Sequence, residues 1–187
     1  MAHKLVHSVC LDVQILFTKV NFMSSGSYVV AHFSNSEWLL PAIETLGGCT
    51  DVLRWDAVDG NAHVIIKLKP TPSPTLPNTI LNIKGIDRLT HLSILAEHEN
   101  ERRINSLLCH SYVFVESEAG KSDLVEKALR QMDSAIYCST LASGSEFVVL
   151  VEGKDFETVE EIINGKIRML DGVLRLKKNR VIELREM

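Results

Sequence analysis

The chain repeats itself. Ser27-Tyr28-Val29-Val30 matches Ser111-Tyr112-Val113-Phe114 at an offset of 84 residues. Gly60, followed by Asn61-Ala62-His63-Val64-Ile65-Ile66, matches Gly144, followed by Ser145-Glu146-Phe147-Val148-Val149-Leu150, at the same offset. Gly85-Ile86-Asp87-Arg88-Leu89 then matches Gly172-Val173-Leu174-Arg175-Leu176 at an offset of 87. Three landmarks in one order and at nearly one spacing mark a diverged duplication. A fold assigned to one copy must therefore suit the other.

The second copy is the easier to read. Tyr112–Val115 is a β-rich run that is apolar on both faces. Ser122 is placed to cap a helix with Leu124, Val125, Ala128, Leu129 and Met132 on one stripe. A strand from Ala135 to Leu141 follows, then the turn residues Ala142-Ser143-Gly144-Ser145, then the strand Phe147–Val151. Asp155 begins a second helix that buries Phe156, Val159, Ile162 and Ile163 and ends at Asp171-Gly172. The last β-rich stretch is Val173–Leu184. The order is β-α-β-β-α-β, the ferredoxin-like arrangement.

The first copy keeps the order. Ser34 and Glu37 have capping-box spacing before Trp38, Leu39, Ala42, Ile43 and Leu46, with Pro41 set to kink or shorten that helix. The middle strands are Cys49–Val58 and Ala62–Leu68, joined at Asp59-Gly60. Pro70, Pro72, Pro74 and Pro77 predict a long loop and only a short helix near Asn78–Lys84. Leu5–Phe17 alternates as a half-buried strand should, and the charged stretch Glu97–Asn105 reads as the junction. The expected fold class is α+β. Two tandem ferredoxin-like (βαββαβ) domains, 1–98 and 99–187, pack their sheets as a dimeric αβ sandwich or barrel.

The second copy resembles the effector-binding (RAM, ACT-like) domain of the Lrp/AsnC transcription regulators. The resemblance rests on Ser111-Tyr112-Val113-Phe114-Val115, on Ala119-Gly120-Lys121 opening a helix, on Ser143-Gly144 between strands, and on Asp171-Gly172-Val173 before the last strand. It implies a regulator that senses a small metabolite, an amino acid above all, and that assembles with itself or with DNA-binding relatives. Family members carry a helix-turn-helix before this domain, whereas residues 1–26 here read as a strand. The family turn often reads Gly-x-x-Asp. Here it is Gly144-Ser145-Glu146-Phe147, with the carboxylate one residue early, and the first copy has none in Gly60-Asn61-Ala62-His63.

Ser143, Gly144, Ser145 and Glu146 are the candidate ligand-binding residues. Small side chains leave space, exposed amides hold a carboxylate, and Glu146 meets an ammonium group. The same residues also read as an ordinary hairpin turn in which Gly144 supplies a positive φ. An αβ-barrel enzyme of the small-oxygenase or haem-handling type is the alternative, with His32 and His63 as its candidate residues. A purely structural assembly module is the third reading. No nucleophile–base spacing appears, so the expectation is a protein that is not an enzyme and carries no cofactor.

Other chemistry is disfavoured. Gly120-Lys121-Ser122 lacks the first glycine of a phosphate loop, because Val115 stands in its place. Cys10, Cys49, Cys109 and Cys138 have no C-x-x-C pair, and the seven His lack metal-ligand spacing. With no signal peptide and no apolar run near the about 20 residues of a membrane span, the chain reads as cytoplasmic with reduced thiols. Twenty Lys and Arg against twenty-four Asp and Glu give a net charge of -4, which argues against tight duplex DNA binding. Lys177-Lys178-Asn179-Arg180 is a local basic patch that also reads as a solvated strand end or turn.

Overall fold

The computed structural model describes residues 26–60, 63–70, 79–80, 82–99 and 104–182. The strand expected at Leu5–Phe17 lies outside the described residues. The protein is α+β, with two tandem βαββαβ copies. The first runs β1 (Ser27–Phe33), helix α1 (Leu39–Gly47), β2 (Val52–Gly60), β3 (Val64–Leu68) and β4 (Ile86–Glu99). The second runs β5 (Cys109–Ser117), α2 (Ser122–Arg130), β6 (Ala135–Leu141), β7 (Glu146–Gly153), α3 (Phe156–Ile162) and β8 (Val173–Val181). Among the described residues of the helix expected at Asn78–Lys84, Thr79 and Ile80 are helical and 82–84 are turn or bend.

The chain divides into two compact units, 1–56 with 62–93, and 57–61 with 94–187. In the first, β1 is central. It pairs antiparallel with β3, Tyr28 opposite Lys67, and with β4, Tyr28 opposite Leu92. α1 contributes buried Leu39, Ala42, Ile43 and Leu46. Its N-terminus differs from expectation. A 3₁₀ turn (Ser36–Trp38) precedes the α-helix, and Asn35, not Ser34, caps that turn, its side chain accepting from the Glu37 N–H at 3.2 Å, while the α-helix itself starts after Trp38 without a side-chain cap. Pro41 therefore falls in the first α-helical turn, where its missing N–H costs nothing.

In the second unit the order is β8-β5-β7-β6, all antiparallel, which is the ferredoxin-like order. The end of β4 pairs with β6, Glu97 opposite Ser139, and the end of β2 pairs with β8, Gly60 opposite Asn179. Glu97–Glu99, in the stretch expected to be the junction, thus belong to β4, and Gly60 is the last residue of β2. One sheet face carries α2 and α3 over Val113, Val115, Cys138, Phe147, Val149 and Val151. Val125 and Leu129 are buried there, but Leu124, at the first turn of α2, is 57% exposed. Ser122 is the first helical residue rather than the cap, which falls on Lys121 without a side-chain bond. Asp155 does cap α3. It accepts from the Thr158 hydroxyl and N–H, both at 2.7 Å, and these bonds hold its carboxyl below the usual range. A π-helical turn, Ile163–Ile167, extends α3 and buries Ile163 and Ile167.

The duplication is visible in equivalent hydrogen bonds. The Ser34 N–H donates to the Gly85 carbonyl at 2.9 Å, and the Glu118 N–H to the Gly172 carbonyl at 2.7 Å. Both glycines have positive φ, 86° and 93°, just before the last strand of their copy. Tyr28 and Tyr112 are both fully buried at matching strand positions.

Candidate functional site

The turn between β6 and β7 is held from two sides. Gly144, at φ 72°, donates its N–H to the Leu141 carbonyl at 2.9 Å. The Ser145 carbonyl accepts from the Ser117 N–H at 2.8 Å and the Ser117 hydroxyl at 3.0 Å, and that hydroxyl lies 2.9 Å from the Ser122 hydroxyl. The end of β5, the start of α2 and the turn are thereby tied together. Beside them Lys121 bridges Asp171 at 2.8 Å and Glu118 at 3.1 Å. These bonds, Asp171 first, raise the Lys121 pKa above its usual value. A Cβ on Gly120 or Gly144 would meet no atom within 4 Å, so there is open space beside both backbones.

Glu146 stands apart from the serines. It is exposed and lies opposite Glu116, which lies opposite Arg175 on β8. The pleat turns this row to the face opposite α2 and α3, because neighbouring Val115 and Phe147 belong to the helix-covered core. Arg175 lies 3.6 Å from Glu116. Glu146 has no ion pair among the described residues. Of the four residues chosen from the sequence, Ser145 joins the serine network through its backbone, Gly144 shapes the turn, Ser143 is exposed, and Glu146 faces Glu116.

His32 and His63 do meet, their rings edge-on with centroids 6.1 Å apart. A register shift between His32 and Phe33 leaves the Phe33 N–H off the regular ladder, and His63 Nδ1 accepts it at 2.8 Å. His63 thus replaces a missing carbonyl. Arg88 reaches His32 Nε2 at 3.1 Å. Burial first, then the Arg88 charge, lowers the His32 pKa and favours a neutral ring. This arrangement closes a sheet; it does not pair an acid with a base.

The buried histidine is His110, which sequence reasoning passed over. It is 6% exposed, and its Nε2 lies 3.9 Å from Glu152 on β7. Tyr112, Tyr137, Asn179 and Ser139 share this helix-free face, all at 3% exposure or less, and Ser139 donates to Glu97 at 2.8 Å. The period-2 alternation of His110, Tyr112 and Phe114 was the available signal, but pairing with Glu152 required the register. Burial pushes the Cys138 thiol up to about 12, so it is no nucleophile near neutral pH. Among the described residues no group of three metal-ligating side chains forms, and no helix is long and apolar enough to cross a membrane.

The basic patch is dispersed. Lys178 pairs with Glu160, Arg180 lies 4.6 Å over the Phe156 ring, and Asn179 is buried, leaving Lys177 exposed. We therefore expect no tight binding to duplex DNA in an anisotropy titration at about 0.15 M salt. Salt-sensitive binding to one sequence tighter than about 10⁻⁷ M would contradict this.

No family model matches the chain, and no curated protein matches it significantly. Among solved structures, a Fusobacterium nucleatum protein provisionally named a monooxygenase is similar over 83% of this chain and 89% of its own, at 12% identity and a TM-score of 0.54. That likeness is one of fold. AsnC of Escherichia coli is 12% identical over 46% of this chain and 62% of its own, with a TM-score of 0.39. A Neisseria meningitidis transcriptional regulator, solved as its L-Met complex, is 12% identical over 46% and 61%, with a TM-score of 0.38.

Proposed function

We propose that the chain is a regulatory protein that binds an amino-acid-like metabolite at Ser143–Glu146 and assembles through its sheets, with itself or with DNA-binding relatives. The observation that carries this reading is the row Glu146–Glu116–Arg175. Two carboxylates directly opposite one another across a strand pair disfavour the sheet unless a cation lies between or beside them. Arg175 serves Glu116, so an ammonium group beside Glu146 completes the balance. The open space at Gly144 leaves its turn accessible to the ligand's carboxylate.

The test is a thermal-shift screen of the twenty amino acids and their keto-acid counterparts. A true effector at 100 times its dissociation constant adds about 2.7 kcal/mol of stability. Glu146→Gln should abolish the shift for the amino acid while leaving the melting temperature of the unliganded protein at or slightly above that of the parent, since it removes the carboxylate facing Glu116. Absence of any shift across the panel, or an undiminished shift in Glu146→Gln, would reject the site.

A second reading, an αβ-barrel enzyme, is favoured by one observation: an imidazole and a carboxylate, His110 and Glu152, largely buried and 3.9 Å apart, the two group types that general acid–base catalysis uses. An absorbance spectrum of the purified protein for haem or flavin tests the cofactor-bearing form of this reading.

A further inference from the structure

The two copies share the register of their opening strands, and with it an irregularity. Ala31 lies opposite Val64 as Val115 lies opposite Phe147. His32 lies opposite Arg88 as Glu116 lies opposite Arg175, and in each copy the register shifts at the next residue, Phe33 or Ser117. The His63 N–H donates to the Ala31 carbonyl at 3.0 Å and continues the first ladder by one residue. His63, His32 and Arg88 therefore stand where the second copy has Glu146, Glu116 and Arg175. The sequence match, which sets Ala62 against Glu146, is one residue out at this strand.

The exchange inverts the chemistry of the row. His63 Nδ1 accepts the Phe33 N–H at 2.8 Å, so the proton of the neutral ring is on Nε2. A terminal nitrogen of Arg88 lies 3.1 Å from His32 Nε2 and 3.4 Å from His32 Nδ1. Arginine only donates, so His32 accepts at the nearer Nε2 and carries its own proton on Nδ1. Each ring thus keeps one N–H to offer, beside the remaining N–H groups of Arg88. Arg88 and His63 are exposed, and Arg88 has no ion pair among the described residues. Asp87 acts on His32, but as the weakest of the influences on that ring.

We propose that His63, His32 and Arg88 bind a phosphate group, free or carried by a small metabolite. Donors on three side chains call for at least three oxygens, which a phosphate has and a carboxylate lacks. A metal ion is the wrong occupant, because it needs the imidazole lone pairs that the Phe33 N–H and Arg88 already use. All three residues belong to the first unit, so the site stands or falls apart from the amino-acid site at Glu146.

The test follows the imidazole C–H signals of the full chain by NMR while inorganic phosphate replaces chloride at constant pH and a constant ionic strength of about 0.15 M. His32→Gln and His63→Gln assign the two rings. Saturable shifts of both are expected, with affinity lowered at least about tenfold by Arg88→Gln and less by Arg88→Lys, which keeps the charge without the fork. Acetate should bind at least about tenfold more weakly than phosphate. Tighter binding of glycerol phosphate than of inorganic phosphate supports the site with a metabolite as its source, and the reverse order supports it with the free ion. Glu146→Gln should leave the phosphate shifts unchanged. No saturable shift, equal binding of acetate, or undiminished binding in Arg88→Gln with an unchanged melting curve would overturn the proposal. So would zinc ions that shift both rings where phosphate does not.

Discussion

Val149→Asp and Leu150→Asp should each abolish cooperative folding. Both side chains are fully buried, on opposite faces of β7. Val149 packs in the cluster with Val125, Leu129, Val159 and Ile163 beneath the helices. Leu150 lies opposite Tyr112 and Tyr137 on the other face. Either change removes about 1.5–3 kcal/mol of apolar burial and places an unpaired carboxylate where its desolvation costs several kcal/mol more. A domain of ordinary stability, about 5–15 kcal/mol, does not readily survive that sum. Leu124→Asp is the control. Leu124 is 57% exposed, and the change should stay within about 0.5 kcal/mol. Urea unfolding followed by far-UV circular dichroism distinguishes these outcomes. Near-parental midpoints for both β7 variants would mean that β7 is not a doubly covered strand.

The second large effect concerns glycine. Gly85→Ala forces an alanine into φ 86° and drives its Cβ into the Trp38 side chain. Gly172→Ala does the same at φ 93°, with Lys121 Cβ 2.6 Å away. Left-handed backbone costs a non-glycine residue about 1–2 kcal/mol, and the forced contact adds about 1–3 kcal/mol. We expect about 3 kcal/mol for each, with the larger loss at Gly85, where the bulky indole must shift. Gly144→Ala isolates the backbone share. Its φ is 72°, but the new Cβ meets nothing within 4 Å, so about 1 kcal/mol is expected. Equal losses at all three positions in denaturant titrations would show that the close approaches at Trp38 and Lys121 are relieved without cost.

The paired glycine contacts also show where sequence and structure part. The repeat, the βαββαβ order, the strand Ala135–Leu141 and the Asp155 cap were legible because each depends on local pattern: periodicity, turn residues and a side chain two or three positions from its target. The caps of α1 and α2 were misread at the level of single residues. Ser34, Asn35 and Ser122 all have suitable hydroxyls or amides, and longer-range bonds to Gly85 and Ser117 decide which of them is free to cap. The candidate turn was recognisable from Ser143-Gly144, yet the face of Glu146 and its neighbour Glu116 came only with the register of β5 against β7. His110 shows the same limit. Its alternation with Tyr112 placed the two on one face, but its partner is Glu152, forty-two positions away in the chain. Sequence by itself determined what could be buried and with what period, because those follow from side-chain chemistry and the pleat. Tertiary structure alone decided which polar groups meet, because one residue of strand register exchanges every side chain between the two faces of a sheet.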